Sequence, residues 1–384
     1  MSIIFSIMQS KKIIFIIAGE ISGDQLGGIL LKKLKTSNNS IHFYGIGGKN
    51  LLELGLKPIF SMERISLMGL IEVLPKIPEL LALIKFTVNK IIDIKPDLII
   101  TIDAPGFNFR VLKKLRQLNI DIPNIHVVAP TVWAWKANRA KKIANYVDNL
   151  FVLYPFEKKY FTPHGIKTYF IGHPLVETIN KSKNTVNKRK KKYISIFPGS
   201  RKNEINFHLD LILNSLLEYN AKFSFVIVAV ESQLSLVENI SEKYKNKLEI
   251  DIVLNSHKEI IFNKSFLAIA VSGTITLELA LHKVPFITVY KLNFLSYFFL
   301  KNIVFAKYIT LVNIIFDKPI VPELIQSQFN KDNIKNELNV LIKSKNSLRL
   351  QLKNFSKLEN MLKNKNIKPS VHATKIIKNI LNLN

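Results

Sequence analysis

Three short stretches carry side chains suited to moving a group onto or off a phosphate. Residues 198–201 read Pro-Gly-Ser-Arg, follow the apolar run 193–197 and precede Glu204. A glycine turn between a strand and a helix offers backbone N–H groups at the positive end of the helix dipole. Gly199 permits the turn, the Ser200 hydroxyl can add a donor, and the Arg201 guanidinium is a fixed fork suited to phosphate. An ordinary strand–helix corner with a capping serine is the alternative. Ser272, Gly273 and Thr274 form a second corner of the same kind, with Glu278 about one turn into its helix. Two such helix N-termini side by side can hold a diphosphate, and a carboxylate farther along can accept from ribose hydroxyls. Asp103 ends the apolar run 96–102 and is followed by Ala-Pro-Gly-Phe-Asn. At that place it can act as a general base or as a turn aspartate bonded to its own backbone. No acidic pair or histidine cluster with metal-ligand spacing accompanies these turns, so neither a metal nor a cofactor is expected. His173, between a glycine and a proline, reads as structural.

These residues need strands behind them. In the first half, short runs rich in Ile, Val and Phe fall at 12–18, 41–44, 96–102, 125–128, 150–153 and 169–172. Continuous apolar runs of this length fit strands buried on both faces of a parallel sheet. A polar, lysine-rich stretch without periodicity, 178–192, reads as a linker. The rhythm restarts at 193–197 and continues at 223–230, 248–253 and 266–271, with 284–290 expected to close the series. Residues 331–384 read as basic helices. The expected fold class is therefore α/β with two Rossmann-like domains: 1–177, and 193–354 beyond the linker, with helices 355–384 completing the first. The turns at 19–24 (GEISGD) and 45–48 (GIGG) match neither the dinucleotide fingerprint nor the P-loop. The second reads as a tight turn.

The chain has 384 residues, a net charge of +27 and no cysteine, which excludes disulfides and thiolate-bound metals. So large a surplus of Lys and Arg attracts polyanions. No single-strand-binding patch with interleaved aromatics is evident, so an anionic membrane face is the better partner and nucleic acid is not expected. The first twenty residues lack the basic leader and cleavage site of a signal peptide. Residues 292–316 are apolar but interrupted by Lys301, Asn302 and Lys307, and read as buried or interfacial rather than membrane-spanning. Residues 65–86 are apolar on nearly all sides of a helical wheel, broken at Pro75 and Pro78. They read either as a core helix or as a face that meets lipid or an acyl chain.

Eight motifs in order resemble the lipid-A-disaccharide synthase family, inverting glycosyltransferases of the GT-B architecture. They are GEISGD at 19–24, MGLIEVL at 68–74, IDAPGFN at 102–108, VWAW at 132–135, PFE at 155–157, IGHP at 171–174, PGSR at 198–201 and SGTITLE at 272–278. One departure is Gly106, where the family usually has a second aspartate.

The resemblance implies transfer of 2,3-diacylglucosamine from its UDP derivative to 2,3-diacylglucosamine 1-phosphate, giving a β-1,6 disaccharide 1-phosphate and UDP. It implies a cytoplasmic enzyme, peripheral on the inner face of the cytoplasmic membrane of a Gram-negative cell, with no metal. Asp103 is then the base and Arg201 the leaving-group cation. Gly199, Ser200, Ser272, Gly273, Thr274, Glu278 and Asn313 surround the donor, the last matching a family asparagine. Glu20, Ser22, Gly23, Met68, Leu70, Ile71 and Leu74 lie on the acceptor and lipid side. A homodimer exchanging C-terminal helices is also known in the family. Another GT-B transferase or a UDP-sugar epimerase is the competing reading, and a basic nucleic-acid-binding protein the remote one.

Overall fold

In a computed structural model, residues 11–38, 40–66, 77–132, 138–179, 192–292, 307–364 and 367–383 are described. Met68, Leu70, Ile71 and Leu74, most of the expected linker and much of 292–316 lie outside them. The chain divides into two compact units, residues 1–177 with 362–384, and residues 178–361.

The first unit holds strands β1 (Lys12–Ala18), β2 (Ile41–Ile46), β3 (Leu56–Pro58), β4 (Leu98–Ile102), β5 (Asn124–Val127), β6 (Asn149–Val152) and β7 (Lys167–Phe170). They form one parallel sheet in the order β3-β2-β1-β4-β5-β6-β7. Helices α1 (Ile21–Ser37), α2 (Ile77–Ile94) and α3 (Pro105–Gln117) belong to this unit. Residues 14–18 of β1 and all of β4 are buried, as the apolar runs require when both faces are covered.

The second unit repeats the plan. Strands β8 (Lys192–Phe197), β9 (Phe223–Ala229), β10 (Ile250–Leu254), β11 (Ser265–Val271), β12 (Phe286–Tyr290) and β13 (Glu323–Ile325) are parallel in the order β10-β9-β8-β11-β12-β13. Helices α4 (Lys202–Leu216), α5 (Lys258–Lys264), α6 (Thr274–Leu281) and α7 (Leu311–Phe316) are used below. The sheet does not close at β12, as the apolar pattern suggests. β13 adds an edge, too short and too polar at Glu323 to register as a strand in sequence.

In both sheets the order reverses once, between β1 and β4 and between β8 and β11. Open parallel sheets bind ligands beyond the carboxyl ends of the strands at this reversal. The turns singled out by their chemistry follow those four strands.

The last helix, α8 (Pro369–Ile380), packs along α1 in the first unit. Ile376, Ile377 and Leu381 join the cluster around Ile14 and Ile16. The IGHP motif receives the returning chain. The His173 amide donates to the Leu362 carbonyl at 2.9 Å, and Glu177 accepts from the Ser370 amide and hydroxyl at 2.6 and 2.7 Å. Gly172 has φ +88°, and a Cβ there would come within 2.9 Å of the Leu362 carbonyl oxygen. Glycine is therefore required by conformation and by close approach.

Candidate active site

The β1 and β4 turns meet at the reversal of the first sheet. A Cβ on Gly19 would lie 2.6 Å from the Cβ of Ala104, so the two turns touch only because residue 19 has no side chain. Asp103 and Ala104 have φ of +50° and +41°, two consecutive residues in the left-handed region. Such a conformation is costly outside glycine and persists where its surroundings fix it. The Asp103 amide donates to the Val127 carbonyl at 2.9 Å, and the buried Asn108 amide donates to the carbonyls of Asp103 at 2.7 Å and Ile102 at 3.3 Å. The Asp103 side chain is half-buried. Burial raises its pKa above the ordinary 3.8, opposed by a hydrogen bond from the Ala104 amide. A carboxylate short of solvation is a stronger base than one in water.

The rest of the GEISGD motif is mostly structural. Asp24 is buried and its carboxylate accepts from the amides of Gly48 (2.8 Å), Asn50 (2.9 Å) and Leu51 (3.1 Å) and from the Asn50 side chain (2.8 Å). It caps the short helix after the GIGG turn, whose Gly45 has φ +136°. That tract is the tight turn its glycines suggest. Gly23 lies against the Ile102 carbonyl, with room of only 3.3 Å for a Cβ, and Ser22 is exposed.

Glu20 lines a cavity of about 310 Å³ with Ile65, Ile77, Leu80, Leu81 and Ile84 on one side. Residues 104–107 and Arg110 form the other, so this wall begins one residue after Asp103. Of the apolar stretch expected at 65–86, residues 67–76 lie outside the described residues, and the part from Ile77 belongs to helix α2, Ile77–Ile94. Leu83, Ile84, Val88 and Ile91 face the core, while Leu81 is 57% and Ile77 40% exposed. The core reading holds for the buried residues of α2, while Ile77 and Leu81, on the same apolar side as Ile84 and Val88, are left exposed at its start.

In the second sheet the Pro-Gly-Ser-Arg corner differs from its expected use. Gly199 has φ +104° and opens α4. The Glu204 carboxylate folds back over the turn, accepting from the amides of Ser200 at 2.9 Å and Arg201 at 3.2 Å. It also takes a guanidinium N–H of Arg201 at 3.0 Å. Two backbone donors expected for a phosphate are therefore occupied by an anion of the chain itself. What remains outward is the Ser200 hydroxyl and an Arg201 side chain that is 63% exposed. A Cβ at 199 would lie 2.5 Å from a Glu204 carboxylate oxygen, so the glycine serves this inward fold.

The second corner is open. Gly273 and Thr274 are exposed, and a Cβ on Gly273 would meet nothing within 4 Å. The Ser272 hydroxyl donates to the Ile309 carbonyl at 3.0 Å, tying the corner to the segment before α7. Glu278 is half-buried and pairs with Lys258 of α5 at 2.7 Å. Asn313 differs from its expectation. It is fully buried and its amide spends both ends within the fold. It donates to the Val321 carbonyl (2.8 Å) and Glu323 (2.9 Å) and accepts from the amides of Ile320 (2.8 Å) and Val321 (2.9 Å). Its side chain has no group left for a ligand.

Three residues that sequence reasoning passed over complete these sites. Glu323 accepts from the amides of Ile309 and Thr310 and from Asn313, fixing the start of α7 next to Ser272. His208 is buried under the Pro-Gly-Ser-Arg corner. Its Nε2 accepts from the Lys291 amide at 2.8 Å, so Nδ1 carries the proton and donates to the Glu204 carbonyl at 2.5 Å. Tyr154 lies near Asp103, and burial together with the charges of Glu157 and Asp103 pushes its phenol well up, keeping it protonated. No local pattern marks these positions, since each is defined by a neighbour distant in sequence.

The family model for lipid-A-disaccharide synthetase matches residues 14–377. A lipid-A-disaccharide synthase of Rhodospirillum centenum is 34% identical over 379 residues, covering 96% of this chain and 94% of the relative. One from Rickettsia prowazekii is 36% identical over 377 residues, covering 96% and 99%. The chain belongs to the lipid-A-disaccharide synthase family. It is therefore a glycosyltransferase of lipid A assembly. Solved structures share the fold at low identity. The UDP complex of S. aureus MnaA has a TM-score of 0.66 at 15% identity, covering 97% of this chain and 98% of that one. UDP-GlcNAc 2-epimerase from Neisseria meningitidis, bound to UDP-GlcNAc, has a TM-score of 0.62 at 15% identity, covering 96% and 99%. The two Rossmann-like sheets are those of the GT-B architecture, as the motifs of the lipid-A-disaccharide synthase family imply. No described helix is long and apolar enough to cross a membrane.

Proposed function

We propose that this chain transfers 2,3-diacylglucosamine from UDP to the 6-hydroxyl of 2,3-diacylglucosamine 1-phosphate, releasing UDP. The observation that carries this reading is the placement of a half-buried carboxylate, Asp103, one residue from the wall of an apolar cavity. An acyl chain fits such a cavity and brings the sugar hydroxyl to the base. Asp103 takes the hydroxyl proton as the oxygen attacks the anomeric carbon, the bond to UDP breaks, and the configuration inverts. The charge developing on the diphosphate is met by Arg201 and by the open start of α6 at Gly273 and Thr274. Glu278, held by Lys258, is left to accept from the ribose. Base and clamp lie on different units.

The exposed Ile77 and Leu81 and the charge of +27 support attachment to the anionic inner face of the cytoplasmic membrane, where both lipid substrates reside. In an exchanged-helix homodimer, a partner's α8 would occupy the face of α1; sedimentation distinguishes that dimer from a monomer. The deciding assay follows UDP release from UDP-2,3-diacylglucosamine with and without the diacylglucosamine 1-phosphate acceptor. Release that depends on the acceptor is expected. Acceptor-independent turnover of the nucleotide sugar would instead support an epimerase.

A further inference from the structure

Arg110 lies on α3, one turn after Gly106, and lines the cavity beside Asp103. The guanidiniums of Arg64, Arg116 and Arg201 each pair with a carboxylate. Arg110 does not: among the described residues its side chain donates only to the Gly106 carbonyl. It is exposed at the lip of the cavity, whose one other charged lining residue among those described is Glu20. An uncompensated guanidinium at the mouth of an apolar cavity selects an amphiphile with an anionic head. Its planar fork matches phosphate better than it matches a single oxygen.

Gly106 leaves the space beside that cation open. A Cβ at 106 would find open space except for an Arg110 guanidinium nitrogen at 3.8 Å, so a carboxylate there would reach the guanidinium. This is the position at which the chain departs from the usual aspartate of its family.

We propose that Arg110 binds the phosphate of the acceptor while the cavity takes an acyl chain, so that this side chain distinguishes phosphorylated from unphosphorylated acyl sugars. The proposal rests on the transferase reading above and assigns its acceptor subsite. An acyl sugar phosphate carries its hydroxyl, acyl chains and phosphate on one ring. Cavity and cation together would therefore fix which hydroxyl faces Asp103.

The test uses the full chain in the UDP-release assay. Arg110→Gln is exposed and should fold. It is expected to raise the KM for diacylglucosamine 1-phosphate about 10- to 100-fold, the weight of charge-assisted hydrogen bonds. The KM for the UDP-sugar and kcat at saturating acceptor should stay near the parent values. With diacylglucosamine lacking the phosphate, parent and variant should converge. An unchanged acceptor KM in Arg110→Gln, or an equal loss with both acceptors, overturns the proposal. If the parent shows no acceptor-dependent release, the transferase reading has failed on its own. Calorimetric binding of diacylglucosamine 1-phosphate to parent and Arg110→Gln then decides the subsite: a weaker variant upholds it, and equal affinities overturn it.

Discussion

The Glu204 carboxylate holds the Arg201 guanidinium at 3.0 Å and closes the two backbone amides beneath it. An acid at this point would repel a phosphate placed in the turn, but it also fixes a long, exposed cation. Arg201 has five N–H groups and gives one to Glu204, so the outward part of its fork stays free for a diphosphate. Arg201→Ala is expected to weaken UDP binding about 10- to 100-fold, the range for charge-assisted hydrogen bonds. Glu204→Gln keeps the turn's shape and removes the negative charge, and should alter UDP affinity far less than Arg201→Ala. Calorimetry with UDP measures both, and an Arg201→Ala variant with parent affinity removes this residue from the clamp.

Asp103→Asn separates chemistry from fold. Aspartate and asparagine both tolerate the left-handed region that φ +50° demands. The backbone bonds to Val127 and Asn108 use main-chain groups that the substitution leaves in place. Turnover should fall about 10²- to 10⁴-fold, as for loss of a general base, with UDP affinity retained. The pH profile gives a second reading. Burial raises the carboxyl pKa above 3.8, so the acid limb of kcat/KM should lie at higher pH than an ordinary aspartate produces. Near-parent turnover in Asp103→Asn sinks the assignment.

The two-sheet α/β plan was legible because strands buried on both faces are written as unbroken Ile, Val and Phe. The strand-end turns were legible too, since Gly19, Asp103, Gly199 and Ser272 follow apolar runs, but the strand order that sets them at the two reversals was not. What escaped was whatever depends on a distant partner. Asp24 ends a glycine-rich turn at the head of α1, yet the helix it caps starts some 25 residues away. Asn313 matches a donor-site position in sequence, but Glu323 and the Val321 backbone consume its amide. The Pro-Gly-Ser-Arg corner suggested free amides, and only the back-folded Glu204 shows that they are taken. The short edge strands β3 and β13 have too few residues for any periodicity to emerge.

Buried neutral histidines make the first unit acid-sensitive. Burial drives His126 down to about 3, helped by Arg139, and His173 down to about 4. Both folded values lie below the unfolded 6.5, so the unfolded chain binds more protons between them. Their stabilisation is complete above pH 6.5 and is lost as pH falls toward 4. At pH 4.5 each should have cost about 2–3 kcal/mol, because a tenfold difference in proton affinity is worth about 1.4 kcal/mol. Urea midpoints of the first unit measured from pH 7 to 4.5 should fall steeply, and His126→Gln should flatten that slope by one proton's share. A midpoint independent of pH over this window contradicts the burial of these rings as neutral species.

Membrane attachment should reside at the exposed start of α2. Ile77 and Leu81 continue the apolar side of α2 that carries Ile84 and Val88 but are left exposed at the start of the helix, and Ile21 at the start of α1 is 61% exposed. Apolar side chains left in water gain about 1.5–3 kcal/mol each when buried, here in the headgroup boundary, while surface lysines draw the protein to anionic lipid. Replacing Ile77 and Leu81 together by Asp removes both gains and adds repulsion. Their exposure means the fold should survive, with an unchanged thermal midpoint as the control. Co-sedimentation with phosphatidylglycerol-containing vesicles should drop at least tenfold in the double variant. It should drop in the parent at high salt as well, because the lysine contribution is screened. A double variant that sediments like the parent moves the lipid contact away from α2, and an activity loss without a binding loss assigns Leu81 to the acyl cavity alone.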